Sequence, residues 1–239
     1  MNDLILIPRD KKENNRQYAY RLLRYNILNL VLTPGETLNE NELSQMLNVS
    51  RTPVHEALLQ LEADDLVNIV PQSGSYVTLI SMKKVREGLF FRTTLEPAII
   101  RQLAGNISQD TLKELHDCLE EMFVLIKTAE NEGTEIPASL IIENDNHFHH
   151  LTYLACQKST IWEMRGTVCS HFDRIRYQGS VEKLDRLNRV YSEHRKIYEF
   201  LLLGGDPDFD LEDFYSKHLS HFKDYYNTAY NKHPDYFTV

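Results

Sequence analysis

The side chains in this sequence that are best suited to coordination chemistry lie between Glu143 and His150. Asp145 and His149 are four residues apart, so in a helix both side chains leave the same face. A carboxylate and an imidazole presented together in this way form half of a transition-metal site. A hydrogen bond on the helix surface explains the pair equally well, so the pair alone does not decide between the two readings.

Two later histidines favour the metal site. His194 shares a helix face with Ile197 and Leu201, and His218 shares one with Phe214, so both histidines can face inward from different predicted helices. One carboxylate and three imidazoles from three helices would hold a divalent transition metal with room for a small anion. Imidazole ligands favour zinc or nickel, and the carboxylate also allows manganese. The alternative is that these histidines pack and hydrogen-bond without a metal.

A second segment whose side chains could take part in binding begins at Ser50. Ser50 is a candidate N-cap, and Pro53 lies in the first helical turn, where its missing N–H costs nothing. Arg51 can bind guanine through two hydrogen bonds, Thr52 can bond a phosphate or a base edge, and His55 lies one turn further along the same face. The segment therefore fits a DNA-reading helix, although a Ser-Arg-Thr-Pro sequence is also a common helix start.

The elements around this segment must position it. The predicted elements are helices over residues 16–31, 40–47 and 50–64 and strands over 66–70 and 75–79. Three helices followed by a hairpin form a winged helix-turn-helix, in which the second helix of the pair enters the major groove. Gly74 at the hairpin tip would let the wing approach the DNA backbone closely.

Beyond residue 80 the periodicity is helical throughout. The predicted helices cover residues 82–104, 108–130, 139–156, 159–178, 181–203 and 208–231. The predicted fold class is therefore mainly α. We expect a winged helix-turn-helix DNA-binding domain over residues 1–80 and an all-α helical bundle over residues 81–239, which would hold the metal and effector and form the dimer.

Composition excludes several classes of protein. No stretch approaches 18 consecutive apolar residues, and the N-terminal apolar run is too short for a signal-peptide core, so neither a membrane span nor secretion is expected. The three cysteines are an odd number at unremarkable spacing. They are typical of buried free thiols in a reducing compartment, so we expect a cytoplasmic protein.

The net charge of −9 argues mildly against a protein that binds nucleic acid through bulk charge. The few basic residues of the first 80 lie between Arg9 and Arg24, apart from Arg51. An acidic protein can still bind DNA when its bases share one face, so charge leaves the question open.

The run LTPGETLNENELSQMLNVSRTPVHEALLQLEADDLV, followed by PQSGSYV, resembles the winged-helix domain of GntR-type transcription regulators. The resemblance covers about 60 residues in the right order. Two positions depart from the family pattern. The family usually has a second Arg where this chain has His55, and often a basic residue where it has Asn41. Both family residues touch DNA, so the resemblance implies a different base preference and phosphate affinity here.

The segments FRTTLEPAIIRQLA, NDNHFHHLTYLA, EHRKIYEFLLLGGDPDF and KHLSHF resemble the FCD-type ligand-sensing domain of the FadR subgroup. In that family an Asp-x-x-x-His pair and two later histidines bind metal, which corresponds to Asp145, His149, His194 and His218. An Arg early in the first helix contacts a carboxylate effector, which corresponds to Arg92. The family's Asn-Pro turn is replaced by Lys158 and Ser159, without loss of a ligand.

The two resemblances together imply a transcriptional repressor, not an enzyme. It would bind an inverted-repeat operator as a homodimer, and a small carboxylate metabolite at the metal would control it. One alternative is a DNA-binding dimer whose metal is purely structural. Another is a metal-dependent enzyme in which the metal activates water, but that enzyme would leave the winged helix unexplained.

Overall fold

The structure is a computed structural model that describes residues 4–177 and 184–238. The first elements in chain order are α1 (Asn15–Leu28), β1 (Thr37–Leu38), α2 (Glu40–Met46), α3 (Arg51–Ala63), β2 (Val67–Val70), β3 (Gly74–Val77) and β4 (Ile80–Ser81). β1, β3 and β2 form an antiparallel sheet in that order, with Thr37 opposite Tyr76 and Val67 opposite Val77. Three helices and a hairpin in this order confirm the predicted winged helix-turn-helix.

Polar caps fix where these helices begin. The Asn14 side chain accepts a hydrogen bond from the Gln17 N–H, and the Gln17 side chain accepts one from the Asn14 N–H, which closes a capping box on α1. Asn39 caps α2, because its side-chain oxygen accepts hydrogen bonds from the N–H groups of Asn41 and Glu42. Ser50 occupies the N-cap position of α3, but its hydroxyl makes no capping hydrogen bond. The first N–H groups of α3 are therefore not satisfied by that side chain.

The helices of this part share one apolar core. Leu22, Leu23 and Ile27 of α1 are fully buried, as are Leu58 and Leu61 of α3. Burial of each such side chain contributes about 1.5–3 kcal/mol. This core holds α3 against the sheet and leaves its first turn exposed.

The remaining helices are α4 (Met82–Leu103), α5 (Gln109–Glu132), α6 (Ala138–Ala155), α7 (Ser159–Val168), α8 (Ser170–Arg176), α9 (Leu184–Leu202), α10 (Leu211–Ser220) and α11 (Phe222–Lys232). α5 packs against both α6 and α9. Gly133, in the left-handed conformation at φ +64°, ends α5 where the sequence predicts a break. These helices confirm the predicted all-α architecture beyond residue 80.

Two predicted helices are wrong in extent. The helix predicted over 159–178 is two helices separated at Cys169, and the helix predicted over 208–231 is two helices separated at His221. A single non-helical residue barely disturbs the apolar period, so the pattern does not reveal such a break. Residues 178 and 181–183 of the predictions lie outside the described residues.

A short pairing was not predicted. β4 pairs in parallel with β5 (Phe237–Thr238), which follows a 3-10 turn at Pro234–Tyr236. Two-residue strands carry no readable alternation of apolar and polar side chains, so the sequence gives no sign of them.

The chain divides into two units that are discontinuous in sequence. The first comprises Met1–Arg86, Thr167–Gln178 and Tyr226–Val239, and the second comprises Glu87–Gly166 and Gly179–Tyr225. The first unit thus contains the winged helix-turn-helix and α8, and the second contains most of the helical region. The domain boundary at residue 80 stays a prediction.

Within the first unit, α8 is tied to the end of the winged helix by two side chains, His171 and Arg174, which we call the α8 clasp. The His171 Nε2 contacts the Asp65 carboxylate, and the Ser81 N–H donates to Nδ1 over 3.0 Å. Arg174 donates to the Thr78 carbonyl over 2.7 Å and to its hydroxyl over 3.1 Å. Since His171 Nδ1 accepts a hydrogen bond from the Ser81 N–H, the ring proton lies on Nε2 and the imidazole is neutral.

The cysteines behave as the sequence predicts. Cys118, Cys156 and Cys169 are buried free thiols. Among the described helices, none has both the length and the hydropathy needed to cross a membrane.

Candidate metal centre and nucleic-acid interface

The four side chains predicted to bind metal converge in the second unit. α6 presents Asp145 and His149 one turn apart, α9 presents His194, and α10 presents His218. Each offers one ligand atom, and these atoms all lie within 4.8 Å of one another. All four side chains are buried, and the least buried, His218, is only 8% exposed. The sequence therefore identifies a set of residues that the fold does bring together.

Imidazole nitrogens meet at the centre of this cluster. The Nε2 atoms of His194 and His149 are 3.3 Å apart, and the His194 Nε2 is also 3.3 Å from Asp145 Oδ1. The rings of His194 and His218 are perpendicular, with centroids 5.2 Å apart. The cluster is thus a group of inward-facing donor atoms from three helices.

Outer partners orient two of the three rings. The His194 Nδ1–H donates to the Val190 carbonyl over 2.8 Å, and the His218 Nδ1–H donates to Glu193 Oε2 over 2.7 Å. A proton held at Nδ1 leaves the Nε2 lone pair of the same neutral ring for a metal. The carbonyl and the carboxylate therefore select the tautomer that coordination requires.

The third ring faces a carboxylate at longer range. His149 Nδ1 lies 3.5 Å from Glu96 Oε2 and makes no hydrogen bond within the described residues. A small movement of Glu96 would let it accept a hydrogen bond from His149 Nδ1, as Val190 and Glu193 do from the other two rings. Glu96 is 2% exposed, so its contact with His149 is shielded from water.

Burial keeps the imidazoles ready to bind a cation. It lowers the pKa of His149 well below the usual histidine value, and the positive charge of Arg92 acts in the same direction. Burial also lowers the pKa of His218, and the hydrogen bond to Glu193 only partly opposes this effect. Burial raises the pKa of Glu193 itself, but the hydrogen bonds from His218 and His221 outweigh it, so the net shift is downward. Neutral rings are the form that coordinates metal.

The donor set fits a divalent transition metal. His194 Nε2 lies 3.3 Å from both His149 Nε2 and Asp145 Oδ1, and the lone pairs of these three atoms repel one another unless a proton or a cation lies among them. Imidazole and carboxylate ligands together match zinc, nickel or manganese. The second unit therefore contains a buried Asp/His cluster that could hold a metal ion.

Arg92, the predicted effector contact, is buried in α4 and pairs with Glu96. Its Nε is 2.6 Å from Glu96 Oε1 and its Nη2 is 3.3 Å from Oε2, and both side chains are 2% exposed. Since Glu96 also faces His149, Arg92 is connected to the cluster through this carboxylate. The sequence does not show that the guanidinium already binds a carboxylate of its own chain.

Tyr215 adds a buried hydroxyl beside the cluster. It lies one turn before His218 on α10, and the two rings are nearly perpendicular with centroids 5.9 Å apart. The side chain has no exposed surface, and its hydroxyl has no hydrogen-bond partner among the described residues. Burial raises the pKa of Tyr215 well above its usual value, so the hydroxyl keeps its proton at neutral pH.

The predicted DNA-reading side chains lie together at the start of α3. Ser50 precedes the helix, and Arg51, Thr52 and His55 are exposed in its first two turns. Glu40 of α2 contacts two of them, with 3.4 Å to Arg51 Nη2 and 2.8 Å to His55 Nδ1. These two hydrogen bonds outweigh the effect of burial and lower the pKa of Glu40. A carboxylate of the same chain therefore pairs with two of the side chains that are predicted to contact DNA.

Gly74 lies at the first residue of β3, directly after the hairpin turn. Its φ of +127° is strained for any residue with a side chain. An added Cβ would lie 3.7 Å from the Tyr76 hydroxyl, an ordinary van der Waals distance, so the backbone conformation and not a lack of space requires glycine.

Several site residues were not found from the sequence: Glu40, Glu96, Val190, Glu193 and Tyr215. Glu96 lies four residues after Arg92, a spacing that predicts a helix pair but not its burial. Glu40 and Tyr215 act through contacts between different helices, for which a single sequence gives no signal.

Comparison with known proteins extends these findings. The family model for bacterial regulatory proteins of the gntR family matches residues 15–77, and the FCD domain model matches residues 87–208. The chain is 32% identical over 185 residues to the HTH-type transcriptional repressor RspR of Escherichia coli (strain K12), covering 77% of this chain and 78% of that protein. The solved structure of E. coli McbR/YncC superimposes with a TM-score of 0.71 over 92% of this chain and 99% of that chain. Its 19% sequence identity shows a shared fold alone.

Proposed function

Because this chain belongs to the GntR family of bacterial transcriptional regulators and carries an FCD domain, we propose that it is a repressor controlled by a small carboxylate. The effector would bind at a divalent metal held by Asp145, His149, His194 and His218 and so change the affinity of the winged helix for its operator. The similar protein RspR is named a repressor, which supports the direction of control.

DNA recognition is assigned to the start of α3. Arg51 would read a guanine, and Ser50, Thr52 and His55 would bind phosphates or base edges. The exposed first turn of α3 supports this role, since its Ser50 hydroxyl makes no capping bond. Gly74 would bring the wing to the DNA backbone. Glu40 must release Arg51 and His55 for these contacts to form.

The metal site is supported by the orientation of its rings. His194 and His218 hold their Nδ1 protons on Val190 and Glu193, so their Nε2 atoms are available to an ion. We propose zinc or nickel as the bound metal, with manganese also compatible with the carboxylate ligand. A bound divalent ion would supply positive charge and an open coordination position for an anionic ligand.

The effector would use a second cationic group. Arg92 is buried beside the cluster and already holds the Glu96 carboxylate. A ligand carboxylate of similar shape would bind near the same guanidinium and alter the Glu96 contact to His149. The pairing of Arg92 with a carboxylate supports a small carboxylate as the effector. A ligand bound at Arg92 would act on His149 by moving Glu96.

The proposed assembly is a cytoplasmic homodimer. A dimer would present two copies of α3 to the two halves of an inverted repeat. Large apolar side chains are exposed on the helical region, among them Phe90 on α4 and Val124 on α5, and a second subunit would shield such surface. The buried free thiols agree with a reducing compartment.

The convergence of four buried ligand atoms within 4.8 Å carries the proposal. Operator duplexes selected from a random library would be labelled and titrated with metal-loaded or chelator-treated protein, with and without a panel of small carboxylates. We expect at least one acid to change the operator Kd of the metal-loaded protein only. If metal is bound but no acid changes the operator Kd, the metal is structural, and the proposal that an effector controls DNA binding is wrong.

A further inference from the structure

The Tyr215 hydroxyl is a polar group that the proposed metal site does not use. It is completely buried, and it has no hydrogen-bond partner among the described residues. Leaving a buried hydroxyl unpaired costs free energy, so such a group in a native fold indicates a partner that binds there. Water is one such partner and a ligand is another.

The position of Tyr215 favours a ligand over water as the partner of this hydroxyl. Tyr215 contacts the His218 ring edge-on at 5.9 Å, one turn away on the same helix. The His218 ring in turn lies beside those of His149 and His194, with centroids 5.8 and 5.2 Å away, so Tyr215 borders the Asp/His cluster. The unpaired hydroxyl therefore belongs to a side chain that packs directly against one of the proposed metal ligands.

We propose that the Tyr215 hydroxyl hydrogen-bonds the effector directly, and that this effector is a monocarboxylate carrying a further oxygen, such as a hydroxyl, near its carboxylate. The inference rests on the proposed function, because it concerns the ligand of the same site. It goes further by assigning a specificity residue and by restricting the ligand class.

The buried charges support a single negative charge on the ligand. A divalent ion and the Arg92 guanidinium bring three positive charges, and the Asp145 and Glu96 carboxylates bring two negative ones. One monocarboxylate therefore neutralises the buried set, whereas a dicarboxylate would leave an excess negative charge in a dry environment. Glu193 is left outside this count because its side chain is 15% exposed, so water partly screens the charge that it keeps while hydrogen-bonded to His218 and His221.

The buried Tyr215 hydroxyl supports a further oxygen on the ligand, in addition to its carboxylate. A binding site that offers a buried hydrogen-bonding group discriminates strongly against an analogue that lacks the matching group, because its own group is then left unpaired. Tyr215 can both donate and accept, so a ligand hydroxyl or carbonyl oxygen would satisfy it. A plain aliphatic acid would not.

The test compares two acids that differ by one hydroxyl. Lactate, as each enantiomer, and propionate would be titrated calorimetrically into the full-length metal-loaded protein, with succinate as the dicarboxylate. We expect one lactate enantiomer to bind about tenfold more tightly than propionate, as one additional buried hydrogen bond provides. Tyr215→Phe should bring that ratio close to one and leave the Kd for propionate within about twofold. Tyr198→Phe, on the neighbouring helix α9, is the matched control and should keep the ratio.

Each outcome separates this inference from the proposed function. Metal content and thermal melting of Tyr215→Phe must equal those of the wild type, which shows that the variant is folded and loaded. If the acids bind but the lactate preference is absent or survives in Tyr215→Phe, or if succinate binds most tightly, the inference is wrong and the carboxylate site stands. If metal binds but no acid does, the effector site itself is wrong, and the inference with it.

Discussion

The Nε2 atoms of His149 and His194 face each other at 3.3 Å inside the buried Asp/His cluster. His194 holds its only neutral-state proton at Nδ1 through the bond to Val190, so its Nε2 presents a lone pair. The facing nitrogen of His149 must then carry a proton, or both must share a cation. A bound metal would replace that proton by an ion within reach of Asp145 and His218 as well.

Metal content is the first prediction. Protein purified without chelator and without nickel resin should contain about one divalent transition-metal ion per chain. His194→Ala removes the ligand at the centre of the cluster and should leave less than about a tenth of an equivalent. His116→Ala is the control, since His116 is half-exposed on α5 and outside the cluster. Elemental analysis decides the question. A wild-type protein that contains no such metal and takes none up on titration would contradict the site.

Metal retention should depend on pH in a defined direction. Because burial lowers the pKa of His149 and His218, both rings remain neutral below the ordinary histidine value of about 6.5. Coordination needs neutral rings, so protons compete only when the pH falls through the lowered values. Occupancy should therefore be complete at pH 7 and fall below about pH 6. Metal content after dialysis across this range measures the midpoint. A midpoint above the ordinary histidine value would show that burial does not protect these rings.

Glu193 should matter although it is not a ligand. Its carboxylate accepts the Nδ1 proton of His218 over 2.7 Å, and Glu193→Gln removes the charge that stabilises this tautomer. Loss of such an outer partner typically weakens metal affinity by about 10–100-fold. Competition with a chromophoric chelator measures the affinity. Glu199→Gln on the same helix is the control, because Glu199 pairs with exposed Arg195 instead. Equal metal affinity in the two variants would show that Glu193 does not support the metal site.

Arg51 should carry much of the operator specificity. Arg51→Ala is expected to cost about 1–3 kcal/mol in specific binding, as for a lost bidentate contact to guanine. Non-specific affinity should change much less. Fluorescence anisotropy with operator and scrambled duplexes at fixed salt gives both values, and Arg195→Ala serves as a charge-matched control. Unchanged operator affinity in Arg51→Ala would refute the assignment of α3 as the reading helix.

The oligomeric state is the fifth prediction. The chain has a mass of 28.0 kDa, and light scattering at micromolar concentration should report about twice that value, since paired half-sites require paired reading helices. DNA binding by a protein that stays at the mass of one chain would contradict the homodimer.

The sequence predicts local features of this fold well. The N-cap position of Ser50 and the hairpin turn before Gly74 depend on residues near one another in the chain, where short-range interactions decide the structure. The breaks at Cys169 and His221 were missed, because neither residue is a helix breaker and the apolar period continues across them.

The convergence of Asp145, His149, His194 and His218 could be predicted because each has the spacing of an inward-facing position on its own helix. The residues that contact these side chains from outside the cluster could not be predicted. Glu96 reaches His149 from α4, and Glu193 of α9 reaches His218 of α10, and both contacts depend on how the helices pack. The Arg92 pairing with Glu96 changes the predicted role of that guanidinium, from a vacant receptor for a carboxylate to a group that already holds one.

The α8 clasp has a consequence for synthesis of the protein on the ribosome. The reading helix emerges more than a hundred residues before His171 and Arg174, and β4 emerges long before its partner strand at Phe237. Domains usually fold as they leave the ribosome, but this unit cannot finish until segments translated much later arrive. A nascent chain therefore exposes α3 before the unit is complete, and the order of translation delays completion of this unit until α6, which carries Asp145 and His149, has already been made.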